Sequence, residues 1–140
     1  MELLKREIEI LKIVQHPNII RLLDVFENHD QIFIVMECLK GGDLFSYLDK
    51  RNFKISEDRA RSILHQLALA VFYLHSYGVA HRDIKPENIL LEDNGEESEV
   101  RLTDFGLSRI IGPNETSDEP FGTLVSPPLP LLFKLVLRGS

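Results

Sequence analysis

The chain of 140 residues contains no tryptophan, a single cysteine and two methionines. One thiol cannot close a disulfide within the chain, so no covalent framework is available and the fold has to rest on an aliphatic core. Cys38 lies in the apolar run 32–39, where the expectation is a small buried hydrophobe rather than a reactive thiol. Basic runs are equally scarce. With 16 Lys and Arg against 22 Asp and Glu the formal charge is −6, and no stretch interleaves basic with aromatic residues, which argues against a nucleic-acid partner. The longest apolar stretch, residues 127–137, is broken by Lys134. It falls far short of the roughly 20 residues a helix needs to span a bilayer, so no membrane partner is expected. Acidic residues stand near the amino terminus where a secretory signal would be basic and then apolar. The expected location is therefore the cytoplasm, with the nucleus as the alternative.

What is present is an ordinary globular composition, 44% apolar and 27% charged, consistent with one folding unit. Residues 3–14 place apolar side chains at Leu4, Ile8, Ile10, Leu11 and Val14 with charges between them, a helical period that His16-Pro17-Asn18 stops. Residues 19–26 and 31–37 are rich in β-branched and aromatic side chains and flank the polar turn 27–30, which predicts an antiparallel hairpin. Gly41-Gly42 permits a bend, and Asp43 can cap a short helix over 44–48. From Ser56, a second cap, Ala60, Ile63, Leu64, Leu67, Val71 and Leu74 recur every three or four residues, the strongest helix in the chain. Short apolar pieces at Val79, 89–91 and 100–102 read as strands with turns such as Asp93-Asn94-Gly95, and residues 112–130 read as a long exposed loop.

Two polar segments interrupt this pattern: His81-Arg82-Asp83-Ile84-Lys85-Pro86-Glu87-Asn88 and Thr103-Asp104-Phe105-Gly106. If 89–91 and 100–102 pair as a hairpin, Asp83, Asn88, Asp104 and Lys85 come together. Oxygen ligands from Asn88 and Asp104 suit Mg²⁺, which is commonly held by one or two carboxylates plus phosphate. Asp83 is then left to orient a hydroxyl, and Lys85 to neutralise charge on a transferring phosphoryl group. Either segment alone is weak, since a lone histidine beside a strand is more often a hydrogen-bonded core residue and Asp-Phe-Gly occurs by chance in turns. Both together, 23 residues apart from His81 to Asp104, are hard to explain by composition.

At these residues the sequence resembles the eukaryotic protein kinase superfamily, and Asp83-x-Lys85-Pro86-x-Asn88 resembles its serine/threonine class. The resemblance implies an α+β, two-lobed kinase-like fold, the cofactors ATP and Mg²⁺, and a protein substrate bearing serine or threonine. It implies Asp83, Lys85 and Asn88 as catalytic residues and Asn88 and Asp104 as metal ligands. It further implies nucleotide contacts: Glu7 as the partner of an ATP-contacting lysine, Met36 at the back of the adenine pocket, backbone groups of Glu37 and Leu39 on adenine, Asp43 on ribose, and Leu90 under the ring. Glu7, Asp43 and Leu90 have plainer alternatives as a surface glutamate, a helix cap and a core leucine. Leu11, Leu22, Phe105 and His81 match the four stacked residues that tie the lobes together. Gly41-Gly42-Asp43-Leu44 with Met36 resembles the calcium/calmodulin-dependent kinase group most.

Regulation is implied as well. Arg82 before Asp83 resembles the arginine that grips a phosphate on the segment 104–123, with Phe105 in the switch and Thr123 touching Asp83 and Lys85. Thr116 and Ser117 are candidate acceptors, and Glu119 stands four residues before Thr123, where a carboxylate could supply part of that charge. An upstream kinase or a calmodulin-type regulator of a longer parent is the implied controlling partner. The expected division is a partial kinase domain over residues 1–123 and a divergent apolar, proline-rich tail over 124–140. No Gly-x-Gly-x-x-Gly loop and no Val-Ala-x-Lys strand precede Glu7, and the run after Thr123 does not lead to Ala-Pro-Glu. The expectation is therefore a truncated gene product or an alternative isoform, missing the first small-lobe strands and later large-lobe helices, and inactive on its own. The alternative is a pseudokinase-like fragment that binds protein without catalysis.

Overall fold

The computed structural model describes residues 2–106 and 108–110. Helix α1 (Glu2–Ile13) buries Ile8, Ile10 and Leu11 on one side, as its period predicts, and leaves Ile13 exposed. Strands β1 (Leu22–Glu27) and β2 (Ile32–Met36) form the expected antiparallel hairpin, with Val25 opposite Ile34 and an irregularity between Leu22 and Asp24. The first strand starts three residues later than the pattern predicted because the preceding segment has another partner. Ile19 bridges Leu102 in parallel, the Ile20 N–H donates to the Leu102 carbonyl at 2.9 Å and the Leu102 N–H to the Asn18 carbonyl at 2.8 Å.

Helix α2 (Leu44–Asp49) begins where Asp43 accepts the Ser46 N–H, and the 20-residue α3 (Glu57–Ser76) where Ser56 accepts the Arg59 N–H. Each cap satisfies one donor that a helix start leaves orphaned. Past the far end of α3, Gly78 takes a left-handed backbone (φ 70°), which lets the chain leave the helix without a Cβ clash. Beyond it come β3 (Val79–Ala80), a single 3-10 turn (Pro86–Asn88), β4 (Ile89–Leu91), β5 (Val100–Leu102) and β6 (Arg109–Ile110). Strands β4 and β5 pair antiparallel with Ile89 opposite Leu102, and β3 pairs with β6. The architecture is α+β, with parts of the two-lobed kinase arrangement represented.

The core is continuous from α1 to β5. Ile63, Leu67, Ala70 and Leu74 of α3 share it with Ile10, Leu11, Leu44, Leu48, Ile89, Leu91, Val100, Leu102 and Phe105. The Gln66 Oε1 accepts both the Val100 N–H at 3.0 Å and the Asn18 Nδ2 at 2.9 Å, so one side chain of α3 binds β5 and the end of the α1 loop together. The opposite face of α3 is open, with Phe72 75% exposed. Leu74 has no exposed surface. Leu74→Ala is expected to cost about 2–5 kcal/mol, the range for deleting a fully packed leucine side chain. The urea midpoint reads this, and a cost below about 1 kcal/mol would mean that the last turns of α3 are not part of the cooperative unit.

Cys38 is exposed, against the sequence expectation of a buried side chain. It lies beyond the last residue of β2, where the alternation of the strand no longer decides which face a side chain takes. Among the described residues, no helix is long and apolar enough to cross a membrane.

Candidate active site

The β4–β5 hairpin assembles the site. Its register places Asn88, just before β4, beside Thr103, just after β5, and the Thr103 N–H donates to the Asn88 carbonyl at 2.9 Å. The two polar segments, 23 residues apart at His81 and Asp104, are thereby brought to one end of the hairpin. The Asn88 Nδ2 donates to the Asp83 carbonyl and to the Asp83 Oδ2, each at 3.0 Å, closing the loop 83–88 on itself. Lys85 Nζ stands 3.7 Å from the same carboxylate oxygen. Asp83 is 8% exposed, and a buried carboxylate needs such partners to remain charged.

His81 supports the loop from below. The Asp83 N–H donates to Nδ1 at 3.1 Å, which leaves the proton on Nε2, 2.9 Å from the Thr103 carbonyl. Burial holds its pKa below the ordinary 6.5, although the Thr103 carbonyl and the charges of Asp83 and Asp104 pull the other way. A neutral ring with one donor and one acceptor is what these two contacts require. Phe105 is buried and packs edge-on against His81 with ring centroids 4.9 Å apart, in the same core as Leu11, and Leu22 lies against that core. The Ser108 hydroxyl donates to the His81 carbonyl at 3.1 Å. Arg82 (φ 68°) and Asp104 (φ 60°) both take left-handed backbone, uncommon for side chains of this kind, as do Asn52 and Phe53 after α2.

Asp104 is exposed, and its Oδ1 accepts the Gly106 N–H at 3.2 Å. Among the described residues, the side-chain hydrogen bonds of Asn88 use its nitrogen and leave Oδ1 as the oxygen to meet a cation. Among the described residues, no three His, Cys, Asp or Glu side chains form a metal cluster. One amide oxygen and one carboxylate fit a Mg²⁺ ion that takes its remaining ligands from water and phosphate.

Glu7 of α1 reaches the same segment. The pKa of Glu7 is raised above 4.5, first by burial and then by the charge of Asp104, while the Phe105 N–H opposes the shift. The folded state then binds this proton more tightly than the unfolded state, so the contribution of Glu7 to stability falls as pH rises from 4.5 through the raised folded value. Glu7→Gln is expected to raise the thermal midpoint at pH 7 and to change it little at pH 4. An equal change at both pH values would remove Glu7 as the titrating group.

The remaining positions are spread along the segment that joins β2 to α2. Met36 ends β2 and is partly exposed, Glu37 follows it, and Leu39 is half-buried against the core. Asp43 bridges Leu90 across the β4 backbone, but both its carboxylate oxygens are engaged by Ser46, so in this structure it acts as the cap of α2. Leu90 is half-buried beside the core. Thr116, Ser117, Glu119 and Thr123 lie outside the described residues. Sequence reasoning gave Asn18 only as a helix stop and passed over Gln66, Arg101 and Ser108, whose hydrogen bonds and ion pairs join segments 27 to 82 residues apart.

The family model of the protein kinase domain matches residues 2–126. A CBL-interacting serine/threonine-protein kinase of Arabidopsis thaliana is 51% identical over 110 residues, covering 79% of this chain and 24% of its own length. A probable myosin light chain kinase of Dictyostelium discoideum is 42% identical over 123 residues, 88% of this chain and 35% of its own length. A CBL-interacting protein kinase of Oryza sativa subsp. japonica is 48% identical over 110 residues, 79% of this chain and 21% of its own length. The chain thus spans about a fifth to a third of these relatives. With the hairpin bringing both polar segments together and the match running through nearly all of the described residues, the chain belongs to the protein kinase domain family, in its serine/threonine branch near the calcium/calmodulin-dependent group.

Proposed function

We propose that a longer protein carrying this domain transfers the γ-phosphate of ATP to serine or threonine side chains of protein substrates, and that the 140-residue chain alone is inactive. The observation that carries this reading is the buried Asp83 carboxylate, fixed at 3.0 Å by Asn88 and at 3.7 Å by Lys85, beside Asp104. Asp83 would accept the proton of the substrate hydroxyl as its oxygen bonds to the γ-phosphorus and the bond to ADP breaks. Lys85 would offset charge on the phosphoryl oxygens. Asn88 Oδ1 and Asp104 would hold Mg²⁺, whose chemistry is to neutralise the phosphate oxygens. The hinge-like segment 36–39 would receive adenine, Leu90 would lie under it, and Asp43 would reach ribose only by giving up its cap.

Control is part of the proposal. Arg82 would meet a phosphate on Thr116 or Ser117, or the carboxylate of Glu119, with Phe105 and Thr123 responding. Relatives described as CBL-interacting favour a separate regulatory partner of the calmodulin-like calcium-sensor kind, besides an upstream kinase. A cytoplasmic location, with the nucleus as alternative, belongs to the same reading.

A second reading, protein binding without catalysis, is favoured by Glu7. Among the described residues no cation pairs with it, and burial without a counter-charge is what raises its pKa. The test is label transfer from γ-labelled ATP to a serine- and threonine-containing peptide. Transfer that EDTA abolishes is expected of a longer protein carrying this domain, and none of the 140-residue chain alone. Mg²⁺-dependent ATP binding without transfer would select the second reading, and neither binding nor transfer would sink the first.

A further inference from the structure

Between β2 and α2 the chain crosses as a single strand, residues 37–43, and its two ends are held differently. At the far end the backbone is tied to β4: the Lys40 N–H donates to the Glu92 carbonyl at 3.1 Å, the Gly41 N–H to the Leu91 carbonyl at 3.0 Å, and the Leu91 N–H to the Gly42 carbonyl at 2.8 Å. At the near end the Glu37 N–H donates to the Arg21 carbonyl at 3.0 Å, and one Glu37 carboxylate oxygen accepts the Arg21 N–H, also at 3.0 Å. Among the described residues, neither Cys38 nor Leu39 makes a backbone–backbone hydrogen bond, and the Glu37 carbonyl accepts none. These groups form the open edge onto which a planar ring with a donor and an acceptor could hydrogen-bond.

The same Glu37 oxygen lies 3.6 Å from Nε of Arg101, in the middle of β5. The Arg101 side chain is only 11% exposed, and its other nitrogens face Glu92 at 3.6 Å and Glu99 at 3.3 Å. One guanidinium therefore gathers three carboxylates from the crossing segment, the end of β4 and the start of β5. A planar fork of donors suits this better than a single ammonium point charge. Without it, Glu37 would face two like charges with no cation between them. That would push its side chain away and pull on the backbone that carries the open edge.

We propose that Arg101 is a positioning residue for nucleotide binding: through the Glu37 carboxylate it fixes the open backbone edge at residues 37–39. This rests on the reading of that segment as the adenine site. It adds a residue on β5 that touches neither ring nor phosphate.

The test compares Arg101→Met, Arg101→Lys and Glu37→Gln in the 140-residue chain, by amide hydrogen exchange and by ADP titration with and without Mg²⁺. Arg101→Met is expected to speed exchange at Glu37 and Lys40 by about tenfold, as for loss of a coupled charge pair, while Leu67 and Leu74 of α3 stay within about twofold. ADP affinity should fall by a similar factor with and without Mg²⁺, leaving the ratio of the two affinities unchanged, because Asn88 and Asp104 are not involved. Arg101→Lys should recover part of the loss, and the double variant with Glu37→Gln should be no worse than Arg101→Met alone. Unchanged exchange at Glu37 and Lys40, or acceleration spread evenly through α3, overturns the proposal. So does a loss of affinity confined to the Mg²⁺ condition, which would place the effect at Asp104. If the unaltered chain does not bind ADP, the nucleotide reading fails, and hydrogen exchange at the two amides still decides whether Arg101 fixes the segment.

Discussion

In a longer protein carrying this domain, Asp83→Asn is expected to slow phosphate transfer by about 10²–10⁴-fold, the usual contribution of a positioned proton acceptor, while ADP affinity stays within about twofold. The structure explains why the two effects should separate. Asp83 Oδ2 faces the donors Asn88 Nδ2 at 3.0 Å and the Lys85 ammonium at 3.7 Å, and its backbone N–H and carbonyl are separately engaged by His81 and Asn88. An asparagine can turn its amide oxygen toward the same donors and keep the loop closed, but it can no longer take a proton from a hydroxyl. Asp104→Asn should behave in the opposite sense. That side chain is exposed and its hydrogen bond from the Gly106 N–H survives in an amide, so the fold should hold while the Mg²⁺ dependence of nucleotide binding is lost. Both variants are read from the same ADP titration with and without Mg²⁺, together with the label-transfer rate. Equal loss of ADP affinity in both would mean that Asp83 is part of the cation site rather than the proton acceptor.

The parts of this site that could be read in the sequence are those set by local pattern. The 3.6-residue period of α3, the caps at Asp43 and Ser56, and the two apolar triplets of β4 and β5 all appeared where expected, because burial of one face and satisfaction of terminal N–H groups act over a few residues. Pairing of those triplets was enough to bring Asp83, Asn88 and Asp104 to one end of a hairpin. What could not be read depends on partners far along the chain. Residues 18–20 leave the hairpin to pair beside Leu102, more than 80 residues away, and no local signal distinguishes them from the start of β1. The same holds for Gln66, whose oxygen serves Asn18 and Val100, and for Arg101, an apparently ordinary strand arginine that proves to be surrounded by acids. The left-handed backbone at Arg82 and Asp104 also escaped notice, since neither residue type demands it.

Gly41→Ala is expected to be among the most damaging single-methyl changes outside the catalytic loop, although Gly41 contacts no proposed catalytic side chain. A Cβ built on Gly41 would run into the Asp93 carbonyl oxygen and would stand 2.6 Å from both the Cβ and the carbonyl oxygen of Leu91. None of these is the far end of a flexible side chain. Either the segment 37–42 or β4 must move, and movement breaks the Gly41 N–H to Leu91 and Lys40 N–H to Glu92 hydrogen bonds that hold the two together. Overpacking at about 1–3 kcal/mol and two backbone hydrogen bonds at about 1 kcal/mol each give about 3–5 kcal/mol, a large part of a typical domain's 5–15 kcal/mol. Leu91 has no exposed surface, so the displacement is carried directly into the core. Gly42→Ala is the control. Its φ of +71° strains an alanine by about 1–2 kcal/mol, but a Cβ there meets nothing within 4 Å. Urea unfolding of the two variants should therefore separate them by about 1–4 kcal/mol, with Gly41→Ala the less stable. Equal midpoints would show that the approach of residue 41 to β4 is looser in solution than the structure has it, and the far anchor of the segment 37–43 would then have to be sought in the Gly42–Leu91 pairing alone.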